Sequence, residues 1–277
     1  MDELCAQRQS RQSLRPVMQH PRVAAGHIGR TVQAVMISVE EIRQSVVDLV
    51  HSSPDGDVVG PTRADLLTLH PLLEQILKRH GRLLAGAGFV AAPELLQDAA
   101  RWLEWRTGAE DKYFRLDVAL DADQLDYYDY VKAEWFRIPR DGAPSAIVGP
   151  YVDLGGTNAY IVTLTVPVLV RGTFVGVVGA DLLVDRIEGI VLRMTRTIGL
   201  GCPAAVVVNQ EGRVLASSVP RQAPGTLLRE LDLTVPDGDW AGPGLRAYEC
   251  EGLPWKLVVL TCADPPACPL PCATPVG

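Results

Sequence analysis

Between Tyr127 and Asp181 the chain gathers side chains that could hold a small cation. The run opens with Tyr127, Tyr128, Asp129 and Tyr130 and continues through Glu134, Trp135 and Phe136. Gly149-Pro150-Tyr151-Val152-Asp153 and Gly155-Gly156-Thr157 follow, and a strand pair then delivers Asp181. Aromatic faces attract a cation through the ring quadrupole, and carboxylates accept its N–H groups in charge-assisted hydrogen bonds. The chemistry is recognition of an amine rather than bond making. Structural roles compete for the same residues. Trp135 could serve the core, Asp153 could brace the Gly-Gly turn after it, and Asp181 could cap a helix.

Other chemistries find no footing. His20, His27, His51, His70 and His80 all precede the strand-rich region, and none forms a zinc-ligand spacing. Cys262, Cys268 and Cys272 lie in a proline-rich tail, and with Cys5, Cys202 and Cys250 they read as reduced thiols. There is no Gly-x-Ser-x-Gly elbow or Walker A loop, and Gly199-x-Gly201 lacks the third glycine of a dinucleotide site. No catalytic residue, cofactor or metal is expected.

The elements that must position these side chains begin with a long helix. Ile28, Val32, Val35, Val39, Ile42, Val46 and Leu49 alternate four- and three-residue steps, an unbroken apolar seam. That seam would join two copies of the chain or lie along its own domain. It ends at the breaker cluster Ser52-Ser53-Pro54-Asp55-Gly56. A second helical stretch is expected from Thr62 to Leu84, opened by a Thr62–Asp65 capping pair and interrupted by Pro71. Leu84 to Val90 should turn into a first strand, and Pro93 to Arg106 should form a short helix carrying Trp102 and Trp105. Ala159 to Val170 and Thr173 to Val178 read as a hairpin closed by Arg171-Gly172. A helix is expected from Asp181 to Ile198, a second hairpin around Asn209 to Gly212, and a last strand from Pro254 to Thr261.

The totals set the limits. The chain has 277 residues, 47% of them apolar, which excludes disorder as a general description. A net charge of −7 argues against nucleic acid and anionic membranes as partners. No window approaches the roughly eighteen apolar residues of a membrane span, and no apolar stretch follows Arg8, Arg11 and Arg15 to make a signal peptide. The expected compartment is the cytoplasm.

Trp135-Phe136, Gly149 to Asp153, the Thr163 to Pro167 strand and Phe174 to Asp181 resemble the Cache superfamily in its double, PAS-like (PDC-type) form. Such domains occur in bacterial chemoreceptors and sensor kinases. Val208 to Val214 looks like the opening hairpin of a second, smaller module. The resemblance implies an α+β fold: a long helix followed by two antiparallel-sheet modules, the first holding the ligand. Residues 1–22 would be a disordered tail, 23–59 the helix and its linker, 60–181 the distal ligand-binding module, 182–263 the smaller proximal module, and 264–277 an irregular tail. Trp135 and Phe136 match the aromatic pair of amino-acid-binding relatives, Tyr151 and Asp153 their Tyr-x-Asp element, and Asp181 their later acid; Tyr130 is a further candidate. The arginine that takes the ligand carboxylate in those relatives is replaced here by Ala133, between Lys132 and Glu134. The resulting expectation is a sensor for an amine, diamine, quaternary ammonium compound or amino acid, acting through a dimer or a regulatory partner. The alternatives are an enzyme of amine or aldehyde metabolism and an interaction scaffold with a vestigial pocket.

Overall fold

The computed structural model describes residues 21–52, 57–109, 112–198, 204–242 and 244–260. Residues 1–20 of the tail expected over 1–22, most of the breaker cluster, Gly199 to Gly201 and the Cys/Pro tail lie outside the described residues, whereas Pro21 and Arg22 already belong to the first helix. Two compact units divide the chain. One is Val32–Arg186, and the other joins the start of the first helix to the residues after Arg186.

The first helix, α1, spans Pro21–Leu49. Its seam residues Ile28, Val32, Val35, Val39, Ile42 and Val46 are buried within the single chain. The apolar stripe is therefore used along the chain's own domain and is not free to form a seam with a second copy. Polar bonds fix the same face. Ser38 Oγ lies 2.9 Å from His80 Nε2 and accepts from Arg79 at 3.0 Å, and Arg79 also pairs with Glu41. After the short ribbon of β1 (His51–Ser52) and β2 (Val58–Val59), Thr62 and Asp65 make the reciprocal capping box at the head of α2 (Arg63–Leu66). One 3₁₀ turn separates α2 from α3 (His70–His80), whose first turn holds Pro71. The proline thus ends one helix and starts another, because its ring tolerates only a first-turn position.

The sheet of this unit has six strands in the order β5-β4-β3-β8-β7-β6. They are β3 (Leu84–Ala91), β4 (Leu103–Ala109), β5 (Lys112–Arg115), β6 (Ala146–Val152), β7 (Tyr160–Val170) and β8 (Thr173–Leu183). A short helix, α4 (Glu134–Arg140), packs on it. The β7–β8 connection is the expected tight turn. Arg171 and Gly172 both have positive φ, 51° and 82°, as a two-residue hairpin of the primed kind requires.

Two expectations fail here. Residues 93–106 do not form a helix; Trp105 lies on β4, because Leu103 and Trp105 alternate with Glu104 and Arg106 at the strand period of two. Asp181 is not a helix cap. It sits inside β8, paired to Gly86 on one side and Thr163 on the other, and the following helix, α5 (Val184–Ile198), begins three residues later.

The second unit carries a five-stranded sheet, β10-β9-β13-β12-β11. Its strands are β9 (Ala205–Val208), β10 (Val214–Ser217), β11 (Trp240–Gly242), β12 (Leu245–Glu249) and β13 (Lys256–Leu260). Asn209 Oδ1 accepts from the amides of Glu211 and Arg213 and shapes the β9–β10 turn, as an Asx motif does. Counted within each unit, and setting aside the added edge strand β5, both sheets have the order 2-1-5-4-3. The chain repeats one α+β topology twice. No described helix is long and apolar enough to cross a membrane.

Candidate ligand-binding site

One face of the six-stranded sheet carries a small cavity. Strand register puts Gly86, Asp181 and Thr163 in one row across β3, β8 and β7, and Gly88, Gly179 and Thr165 in the next. Three glycines leave the floor low, so Trp105, opposite Gly88 on β4, can lie over β3. A Cβ on Gly86 would collide with its indole Nε1. On the other side, a bulge in β6 changes the register between Val148 and Tyr151. Val148 pairs with Thr163 and Tyr151 with Ile161, so both project to the face of Asp181 although they are three residues apart. A regular strand would have turned Tyr151 to the opposite face.

Trp135 on α4 closes the site from above. Its carbonyl accepts the Thr165 hydroxyl at 2.6 Å, which ties the helix to the floor. The lining is Val90, Leu103, Trp105, Leu116, Tyr128, Trp135, Tyr151, Asp153, Thr163 and Asp181. None of them is basic. The cavity they leave measures ≈ 20 Å³, room for about one water.

Both carboxylates are buried, each only 5% exposed. Asp153 accepts from Tyr128 at Oδ1 (2.8 Å) and from the Thr157 amide and hydroxyl at Oδ2 (2.6 and 3.0 Å). It therefore braces the 153–158 loop and lines the cavity at once. Gly156 permits this, since any Cβ there would strike the Asp153 carboxylate. Asp181 accepts from Thr163 at 2.7 Å, and Tyr151 lies 2.6 Å from the same threonine hydroxyl. The Thr163 proton is committed to Asp181, so Tyr151 donates its own proton to Thr163. Burial pushes the Asp181 carboxyl up to about 8, with the Asp153 charge adding to the rise and the Thr163 bond opposing it. Burial also raises Tyr128 and Tyr151, and the nearby carboxylates add to both shifts.

Four of the six expected site residues, Trp135, Tyr151, Asp153 and Asp181, come together on this cavity. Phe136 and Tyr130 do not line it. They pack in the apolar core behind it, edge to face with ring centroids 5.1 Å apart, and Phe136 also meets Phe174 at 5.5 Å. The Tyr130 hydroxyl is taken by the Ala91 carbonyl at 2.9 Å. Asp121, Asp123 and Asp126 are solvent-exposed, and Asp129 pairs with Lys132 and Arg101. The acidic stretch is thus mainly a solvated loop, and Lys132 does not stand in for the arginine absent at Ala133.

With this geometry in view, residues 70–189 match the family described as methyl-accepting chemotaxis protein-like, first PDC sensor domain. The described chain has the fold of a double, PDC-type Cache domain and is similar to solved double-module structures. The extracellular domain of soHK1S-Z6 aligns over 94% of this chain and 96% of its own, at 17% identity and a TM-score of 0.54. The ligand-binding domain of the Pseudomonas aeruginosa PAO1 amino acid chemoreceptor PctC, in complex with GABA, aligns over 86% and 96%, at 19% identity and a TM-score of 0.53. The ligand-binding domain of the Pseudomonas fluorescens chemoreceptor CtaA, in complex with L-valine, aligns over 90% and 96%, at 16% identity and a TM-score of 0.57. At these identities the likeness is one of fold. A search of curated proteins finds no match.

Sequence reasoning placed Tyr128 in the aromatic run without singling it out, and missed Thr163 and Trp105 as lining residues. The two threonines of β7 carried a signal: Thr163 and Thr165 recur at the strand period, on the face opposite the buried Val162 and Leu164. Trp105 was hidden by the helical reading of its strand. Tyr128 lies in an irregular loop with no periodicity to read.

Proposed function

We propose that this Cache domain senses a small molecule bearing an ammonium group, bound between Asp153, Asp181 and the rings of Trp135, Tyr128 and Tyr151. The observation that carries the reading is two buried acidic side chains and four aromatic residues, Trp105, Tyr128, Trp135 and Tyr151, on one cavity whose lining includes no lysine, arginine or histidine. A cation entering there gains charge-assisted hydrogen bonds and ring-face contacts without competing with a resident positive group. The relatives PctC and CtaA are named with GABA and L-valine, both amino compounds, which supports the same class. Room for about one water means that any such ligand must move lining side chains as it enters. Binding coupled to that movement would shift a conformational population, the way a sensor reports occupancy.

The output passes to a regulatory partner or to a second copy. A dimer through α1 would use its outer face, where Ile37 is exposed, because the seam is covered.

A thermal-shift screen of amines, diamines, quaternary ammonium compounds and amino acids tests the reading, followed by mass analysis of each hit. Stabilisation with the compound recovered unchanged is expected. No stabilisation by any of them defeats the proposal, and a new mass would move the site to the enzymes.

A further inference from the structure

The same cavity holds a donor with nothing to donate to. Trp105 is only 5% exposed and lines the cavity, and its indole N–H has no hydrogen-bond partner among the described residues. A buried donor without an acceptor is costly and is rarely kept without a role. The neighbouring hydroxyl protons are already committed: Tyr128 to Asp153, Tyr151 to Thr163, and Thr163 to Asp181. With no basic side chain in the lining, the indole N–H is the fixed nitrogen donor left to meet a guest. Its place is set by the fold. Gly86 lets the ring lie over β3, and Gly86 is also the cross-strand partner of Asp181.

We infer that Trp105 is a specificity-determining residue whose Nε1–H donates to an oxygen of the ligand. The guest then carries a carboxylate or carbonyl oxygen near its ammonium group, and simple amines, diamines and quaternary ammonium compounds are the poorer fits. The inference rests on the proposed cation site and narrows its ligand class. Trp105 would supply, from β4, a donor on the side of the ligand that lacks an arginine at Ala133.

The test is titration calorimetry of the whole chain with amino acids, each beside the amine left when its carboxylate is removed. The variant is Trp105→Phe, which keeps an apolar ring and deletes the N–H. Wild type should prefer at least one amino acid over its matched amine by about tenfold or more. Trp105→Phe should reduce that preference to within about threefold, whatever change the smaller ring makes to the affinity for the amine. Equal wild-type affinities for acid and amine, or an equal loss of both in the variant, overturn the Trp105 assignment and leave the cation site standing. Failure of every amine and amino acid to bind wild type overturns the cation site and the Trp105 role together. Should the variant not fold, the wild-type indole resonance of Trp105 serves instead. It should move downfield with the amino acid and not with the amine; an unmoved resonance in saturated protein refutes the inference.

Discussion

Thr163 and Asp181 stand opposite each other in the β7–β8 register, and the threonine hydroxyl donates to Asp181 Oδ1 at 2.7 Å. Tyr151 donates into the same hydroxyl, so one hydroxyl chain runs from Tyr151 through Thr163 to Asp181. That chain opposes, without overcoming, the burial penalty that holds a proton on Asp181 up to about pH 8.

The first prediction concerns pH. Unfolded, Asp181 titrates near its ordinary 3.8; folded, it is pushed up to about 8 by burial. Between those values the native state holds a proton that the unfolded chain has released, so stability falls as pH rises through this window and levels off above it. Asp181→Asn should lose that slope. Urea denaturation of both proteins at about pH 5 and about pH 8.5 checks it. A wild-type curve parallel to the variant's would show that Asp181 ionises normally.

Thr163→Val keeps the shape and removes the hydroxyl. Tyr151 and Asp181 each lose a buried partner, and destabilisation of about 1–3 kcal/mol is expected. Because the Thr163 bond works against the rise, the Asp181 carboxyl should titrate higher still in this variant. Carboxyl-carbon NMR of Asp181 against pH reads the shift directly, and a downward movement would contradict the geometry.

Asp153→Asn should weaken an ammonium ligand by on the order of 2 kcal/mol, since truncating one partner of a buried charge pair carries that cost. Calorimetry with the best hit of the screen measures it. Wild-type affinity in the variant would leave Asp153 with only its loop-bracing role.

Gly156→Ala places a methyl group against the Asp153 carboxylate. The 153–158 loop must then shift, and both ligand affinity and melting temperature should fall. A variant that melts and binds like wild type would mean that the loop does not hold Asp153 in place.

The α1 seam gives the last prediction. Ile42 is fully buried within one chain, so Ile42→Ala should cost about 2–5 kcal/mol of folding stability. The mass measured by light scattering should be the same as wild type. Dissociation of an oligomer with little loss of stability would return the seam to an intermolecular role.

Local patterns carried much of the fold. The Thr62–Asp65 box, the Pro71 break, the Arg171-Gly172 turn and the hairpin around Asn209 are short-range devices whose geometry is encoded in a few consecutive residues. The misplaced elements are those where sheet pairing overrode the local signal. Leu103 to Ala109 became a strand because β3 and β5 flank it, and Asp181 stayed in β8 because it is paired on both sides.

The same division runs through the site. The run from Tyr127 to Asp181 stated the chemistry, and the resemblance to amino-acid-binding Cache domains singled out Trp135, Tyr151, Asp153 and Asp181 within it. Which of the aromatics meet the cavity was decided by tertiary structure alone. A bulge in β6 turns Tyr151 inward, Gly86 on β3 admits Trp105, and core packing takes Tyr130 and Phe136 away. Strand register and burial depend on partners far along the chain, and the environment they create is what sets the charge of Asp181.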